Sequence, residues 1–195
     1  MSSSSMLSVV VAAGGVIETA LLPYNILHLS LCADLTISAA VSPSAQKFVT
    51  ETALHAITKR VVYHENQLFE PCTGKPLHIA YSESDLLILY PATARIIAQC
   101  ATGEITCPVT RLFAFTPKNK ILIAPAIHPR MDMRIYQPHL QKLKDLGCHV
   151  LKQDQDTSCP YSLWSDVELK ISDILETKTL SEPREGIALW NSPNL

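Results

Sequence analysis

Short apolar runs alternate with segments of helical spacing, and this alternation constrains the fold more than any other feature of the chain. The runs are predicted strands that stop at Gly, Ser or Pro, and they cover residues 7–13, 35–41, 85–90 and 120–124. A strand, a helix and a second strand pack as a right-handed unit with parallel strands. We therefore predict an α/β fold: a single-domain Rossmann-like (flavodoxin-like) parallel sheet with helices on both faces.

The segments between the runs carry apolar residues every three or four positions, as helices on such a sheet do. Helices are predicted over residues 16–31, 45–57 and 94–102, around Leu140, Leu143 and Leu146, and around Val167 and Ile171. Short strands are predicted at 61–63 and 149–151, and the polar stretch 64–76 predicts an excursion. The domain is expected to span residues 1–178, followed by a polar C-terminal tail over 179–195.

The charge balance excludes several classes of protein. The 195 residues are 47% hydrophobic and 17% charged, with a net charge of -2. A disordered chain or a nucleic-acid-coating protein shows the reverse balance. No nucleic-acid partner is therefore expected, and a bound phosphate would be held by local backbone dipoles.

The six cysteines form no closely spaced pair, which argues against a metal site and a disulfide framework. They are read as reduced thiols of a cytoplasmic protein. No Lys or Arg precedes the apolar run at 7–13, and polar residues interrupt the stretch after it, so neither a secretory signal nor a membrane span is predicted.

Three strand ends carry small or hydroxyl-bearing residues: Gly14, Gly15 and Val16; Ser42 and Ser44; and Pro91, Ala92, Thr93 and Ala94. Ligands of open parallel sheets bind at the carboxyl ends of strands, and helix N-termini there bind phosphate without lysine. These residues also occur in ordinary connections between a strand and a helix, so the pattern alone leaves both interpretations open.

Three motifs stand in order along the chain: P-L-H-I-A at 76–80, P-A-T-A-R-I-I-A at 91–98 and A-P-A-I-H-P-R-M at 124–131. In this order the chain resembles the homo-oligomeric flavin-containing cysteine decarboxylases over about residues 7–151. That family includes phosphopantothenoylcysteine decarboxylase and the peptidyl-cysteine decarboxylases of the epidermin type.

The resemblance implies a role for each matching residue. His78 matches the catalytic histidine, and FMN is the implied cofactor. The implied FMN-binding residues are Gly14, Gly15, Val16, Ser42, Ser44, Pro91, Ala92, Thr93, Ala94 and Arg95. The implied substrate-binding residues are Ala126, His128, Met131 and Cys159. The family also implies a homo-oligomer, a trimer or a dodecamer, with the flavin near a subunit interface.

The chain departs from the family pattern at several positions. Arg95 and Ile96 replace Asn-Thr, Thr106-Cys107 stands where Asp-Asn is common, and His128 and Asp132 replace an asparagine and a tryptophan. Arg95 is either a clamp for a phosphate or carboxylate or a solvated first-turn arginine. His128 is a candidate substitute for the missing asparagine, and Cys159 is either part of a substrate clamp or an incidental loop cysteine.

The chemistry of such enzymes explains why a flavin and a histidine are both needed. Decarboxylation of an amide-linked cysteine needs an electron sink, which exists once the CH2–SH group is oxidised to a thioaldehyde. Flavin performs that oxidation, and a histidine near neutral pKa moves the proton. We assign the proton transfer to His78.

The leading interpretation is FMN-dependent oxidative decarboxylation of the C-terminal cysteine of a ribosomally made peptide to an aminoenethiol. This interpretation is preferred to the phosphopantothenoyl substrate for three reasons. The glycine-rich substrate clamp of the phosphopantothenoyl enzymes is missing, His128 replaces the family's asparagine, and no fused synthetase domain is expected. Three alternatives stay open: a phosphopantothenoylcysteine decarboxylase of coenzyme A biosynthesis, a flavoprotein prenyltransferase or reductase, and a binding subunit that has lost catalysis.

Overall fold

A single parallel sheet organises the chain, whose computed structural model describes residues 6–153 and 162–176. Five strands in the described residues pair in the order β2-β1-β3-β4-β5. They are β1 (Leu7–Ala13), β2 (Leu35–Val41), β3 (Leu86–Thr93), β4 (Ile121–Ala126) and β5 (His149–Val150). All neighbouring pairs are parallel. This is the flavodoxin-like strand order, so the predicted fold class is confirmed.

Helices cover both faces of this sheet. The described α-helices are α1 (Leu22–Cys32), α2 (Glu51–Thr58), α3 (Leu77–Ser82), α4 (Ala94–Thr102), α5 (Pro108–Phe115), α6 (Met133–Asp145) and α7 (Trp164–Ile174). Shorter 3-10 turns stand at Ile17–Leu21, Ala45–Lys47 and Lys118–Lys120. None of the described helices combines the length and apolarity needed to cross a bilayer.

The hydrophobic core consists of two layers because successive residues of a strand face opposite sides of the sheet. Val10 and Ala12 of β1 pack with residues of α3, α4, α5 and α6. Val9 and Val11 pack with residues of α1, α2 and α7. Both layers are apolar, which explains why the strands read as continuous hydrophobic runs.

The prolines do not end their strands, and the predicted ends at Tyr90 and Ala124 were wrong. β3 continues through Pro91 to Thr93, and β4 continues through Pro125 to Ala126. The pairing of β3 with β4 shifts between Leu89 and Ala92, after which Ala92 pairs with Pro125. Such an irregularity accommodates residues that lack a backbone N–H within a sheet.

Two predicted helices are interrupted. The segment 16–31 starts as a 3-10 turn, and α1 begins only at Leu22. The segment 45–57 splits into a 3-10 turn and α2, because the Thr50 side chain accepts a hydrogen bond from Ala53 N at 3.1 Å and starts a new helix at Glu51.

Other local predictions are confirmed or extended. Helix α4 has its predicted bounds, with Gly103 as a left-handed cap at φ 83°. The predicted strand at 61–63 contributes an isolated parallel bridge between Tyr63 and Ala40. The sequence did not predict α3 or α5. His78, whose motif precedes the strand β3, lies in the first turn of α3.

Candidate functional site

The turns that follow β1, β2 and β3 meet at one point of the sheet edge. Ser42 N donates a hydrogen bond to Ala13 O at 3.0 Å, and Gly14 N donates to Pro91 O at 3.0 Å. These bonds tie the end of β1 to both neighbouring strands. The connections leave the sheet in opposite directions between β1 and β3, and this switch point is where flavodoxin-like sheets bind ligands.

Two glycines permit this close approach. A Cβ atom on Gly15 would lie 2.4 Å from the carbonyl carbon of Ser44. A Cβ atom on Gly14 would lie 2.9 Å from Cγ2 of Thr93. Any larger residue would push these turns apart. We call Gly14, Gly15, Ser42, Ser44 and Thr93 the switch-point cradle.

Hydrogen bonds fix the polar groups of the switch-point cradle. Ser42 Oγ accepts from Ala45 N at 3.2 Å and lies 3.1 Å from Ser44 Oγ. Thr93 Oγ1 accepts from Ile96 N at 3.4 Å and thereby caps α4. Ser42 is buried whereas Ser44 is exposed. The pair therefore presents one hydroxyl outward and supports it with the other.

A cleft of about 330 Å³ opens beside the cradle. Its lining residues are Ser42, Pro43, Ser44, Lys47, Thr93, Arg95, Ile96, Gln99, Thr106 and Cys107. Two cations, Lys47 and Arg95, face the same space as the N-terminus of α4, where the helix dipole is positive. The cleft has the electrostatics of a site for a phosphate or carboxylate group.

His78 lies outside the lining of this cleft. Its ring packs edge-on against Phe115 of α5, with ring centroids 4.7 Å apart. Cys107, which lines the cleft, caps the opposite end of α5. At about 1.5 Å of rise per residue, the two ends of this helix are roughly 12 Å apart. His78 is not among the residues that line the cleft, so the predicted histidine lies outside the space bordered by the predicted cofactor residues.

The surroundings of His78 favour its neutral form. Burial lowers the pKa of His78 below its usual range, and the nearby positive charge of Arg111 lowers it further. Arg111 is held in place because its Nη1 donates to Tyr63 Oη at 3.0 Å. A neutral imidazole at pH 7 is able to accept a proton.

The remaining predicted residues fall into separate places. Pro91, Ala92 and Ala94 are buried at the end of β3 and the start of α4. Val16 lies in the turn after β1, where its backbone N donates to Thr19 Oγ1 at 3.2 Å.

The three predicted substrate residues that the structure describes do not line the cleft. Ala126 is buried at the end of β4, Met131 packs against the core, and His128 is exposed with Nδ1 accepting from Arg130 N at 3.1 Å. Cys159 lies outside the described residues.

Some lining residues escaped the sequence analysis. Gln99 lies one helical turn after Arg95, and this spacing is the signal that places both on one face of α4. Thr106 and Cys107 were noted only as departures from a family pattern. Lys47 carried no signal, and neither did Arg111 beside His78, because the positions of both depend on how separate elements pack.

The strand order and the cradle define a flavodoxin-like α/β protein with a candidate ligand site at the β1/β3 switch point. Residues 2–179 match the family described as Flavoprotein. The chain belongs to this family.

Curated relatives include the coenzyme A biosynthesis bifunctional proteins CoaBC. The chain is 32% identical over 126 residues to that of Thermococcus kodakarensis, which covers 60% of this chain and 29% of the relative. It is 36% identical over 97 residues to that of Methanocaldococcus jannaschii, covering 45% and 24%. The chain spans less than a third of the length of these relatives.

Solved structures of similar fold include a PPC decarboxylase mutant, with a TM-score of 0.75 at 18% identity, covering 88% of this chain and 99% of that one. The FMN-dependent cysteine decarboxylase TvaF from thioviridamide biosynthesis matches with a TM-score of 0.66 at 25% identity, covering 75% and 90%. The peptidyl-cysteine decarboxylase EpiD matches with a TM-score of 0.69 at 18% identity, covering 88% and 99%.

Proposed function

We propose that the chain binds FMN and uses it to decarboxylate the C-terminal cysteine of a peptide oxidatively, giving an aminoenethiol in the biosynthesis of a peptide natural product. The observation that carries this proposal is the switch-point cradle, where Gly15 meets Ser44 and Gly14 meets Thr93. The similarity to TvaF, an FMN-dependent cysteine decarboxylase, supports it.

The residues present fit a flavin mononucleotide. The Ser44 hydroxyl, the N-terminus of α4 and the cations Lys47 and Arg95 suit its phosphate. The two glycines leave room that a Cβ atom would fill. When bound, FMN takes up the hydrogen and the two electrons removed from the cysteine side chain, which no protein side chain does.

The protein side chains move protons and hold the substrate. Neutral His78 accepts the proton of the cysteine thiol, which its lowered pKa permits at pH 7. His128 holds the carboxylate until carbon dioxide leaves, while Arg95 stays with the phosphate. The electrons left behind then enter the C=S bond of the oxidised substrate, and the enethiolate forms.

We further propose a homo-oligomer, a trimer or a dodecamer, in which His78 of one copy faces the cleft of the next. The separation of His78 from the cleft along α5 supports this, as does Phe115, which is 49% exposed beside it. Mixing two inactive variants tests it: Gly15→Ala keeps His78 and His78→Asn keeps the cradle. Refolding them together should restore activity, and no recovery in mixed oligomers would exclude a shared site.

A cytoplasmic location is proposed with this function. Cys100, Cys107 and Cys148 are buried free thiols. Burial raises the pKa of Cys148 to about 11, so this thiol stays protonated and inert at neutral pH. Such thiols are typical of proteins in reducing compartments.

A second candidate is decarboxylation of phosphopantothenoylcysteine, which the 32% identity to CoaBC favours. The two functions differ in the mass of the product. Incubation with cysteine-ended peptides should remove carbon dioxide plus two hydrogens, as seen by mass spectrometry. Loss of carbon dioxide alone, and only from phosphopantothenoylcysteine, would replace the first proposal by the second.

A further inference from the structure

A second cavity, of about 550 Å³, lies at the same sheet edge as the cleft but on the other face. It is bounded by the 3-10 turn Ile17–Leu21, the end of β3 and the start of α7, and we call it the α1–α7 cavity. Its apolar walls include Leu21, Tyr90, Leu163 and Trp164. It shares no lining residue with the cleft beside the cradle.

Glu18 places a carboxylate in the wall of this cavity. Its residue is only 7% exposed, and within the described part of the chain its buried Oε2 atom has no hydrogen-bond partner. The turn that carries Glu18 is fixed, since Thr19 Oγ1 donates to Gly14 O at 2.6 Å and Val16 N donates to Thr19 Oγ1. Burying an acceptor without a donor costs free energy that a bound donor recovers.

The chemistry of the walls defines the ligand. A carboxylate only accepts hydrogen bonds, so the ligand must bring an N–H or O–H donor; an ammonium group is favoured because it also supplies the opposite charge. Tyr90 and Trp164 meet edge-on with ring centroids 4.9 Å apart and form an aromatic wall, which favours an apolar or aromatic body. At the mouth, Ile17, Leu21 and Leu163 are more than half exposed.

We propose that the α1–α7 cavity binds an organic amine with an apolar body, whose ammonium group donates to Oε2 of Glu18. Its volume lies in the range of small-molecule sites, about 300–1,000 Å³. The proposal is independent of flavin binding, because the two sites use different residues and opposite charges. It gives the buried carboxylate of Glu18 a binding partner, which the position of Glu18 in the first turn of the 3-10 segment does not supply.

Phenethylamine titrated into the full-length protein tests this proposal. Trp164 is the fluorescence reporter, and Trp190→Phe removes the other tryptophan of the chain. Saturable quenching is expected, with the neutral analogue 2-phenylethanol binding at least about 10-fold more weakly. The Glu18→Gln variant should bind phenethylamine more weakly by the same factor. The control is Glu51→Gln, which changes an exposed glutamate paired with His64 and should leave phenethylamine affinity unchanged.

A second measurement guards against a variant that fails to fold. Glu18→Met removes the unpartnered acceptor, so its melting temperature should rise while phenethylamine binding is lost. The proposal would be overturned if the quenching did not saturate, or if Glu18→Gln bound phenethylamine as tightly as the parent protein. It would also be overturned if FMN competed with phenethylamine for the cavity. Finally, a phenethylamine affinity that falls as the protein concentration rises would show that a second copy of the chain covers the cavity instead.

Discussion

The switch-point cradle and the surface around His78 differ in how completely one chain builds them. In the cradle, three turns pack so closely that Gly15 has no room for a Cβ atom, and hydrogen bonds fix both serines. Around His78, one partly exposed imidazole rests on Phe115 at the far end of α5. One chain therefore builds the whole cradle, whereas the proton transfer proposed for His78 depends on what covers that surface.

Replacing the histidine gives the largest expected effect and separates the two regions. His78→Asn should lower kcat by about 100- to 10,000-fold, the usual contribution of a positioned proton-transfer group. FMN affinity should stay within about twofold, because His78 does not line the cleft. The measurement combines turnover of a cysteine-ended peptide with flavin titration.

The control for this variant is His139→Asn on α6, which should retain parental turnover. If His78→Asn lost flavin instead of turnover, the separation of the two regions would be wrong.

Filling the cradle should have the opposite signature. Gly15→Ala forces a Cβ atom against the backbone of Ser44, so FMN affinity should fall by at least about 100-fold, or roughly 2.7 kcal/mol. Flavin retained after gel filtration measures this loss. The matched control is Gly74→Ala, where nothing lies within 4 Å but φ is +68°. It should cost about 1 kcal/mol of stability and leave FMN affinity unchanged.

A smaller effect is expected from the buried hydroxyl of the cradle. Ser42→Ala removes the side-chain acceptor of Ala45 N, which keeps its bond to Ser42 O, and it removes the support of Ser44, so FMN should bind about 5- to 10-fold more weakly, equivalent to about 1 kcal/mol. Ser30→Ala, which removes an exposed hydroxyl bonded to Leu27 O, is the control. Equal FMN affinities in both variants would show that Ser42 does not shape the site.

The smallest expected effect is a shift of the pH profile. Because burial and then Arg111 lower the pKa of His78, its neutral form persists below pH 6.5, and the acid limb of kcat/KM should have its midpoint below that value. Arg111→Gln removes a nearby positive charge, raises the pKa and moves this limb to higher pH.

Arg134→Gln, an exposed arginine paired with Asp132, should leave the profile in place. If the acid limb of kcat/KM did not move in Arg111→Gln, Arg111 would not influence the pKa of His78. An acid limb with its midpoint above pH 6.5 in the parent protein would contradict the lowering of this pKa by burial.

The sequence predicts the cradle better than the surface around His78, because the cradle is built from local features of the chain. The strands and the three turns were predictable because apolar runs and the small residues after them are local features, and β1 and β2 have their predicted bounds. The continuation of β3 through Pro91 was not predictable, because it depends on the shifted pairing with β4.

The positions of His78 and of the cleft lining depend on long-range packing. His78 was assigned through a motif, but its distance from the cleft follows from how α3 packs on α5, and neither helix was predicted. Glu18 stood in a segment predicted as helix from residue 16, and only the fold reveals that its carboxylate is buried beside aromatic walls.

The most direct test of the central claim is the absorption spectrum of the purified protein after desalting. The account predicts oxidised-flavin bands with about one FMN per chain, present in the parent and in His78→Asn but absent from Gly15→Ala. A colourless parent protein that takes up no added FMN would contradict the account.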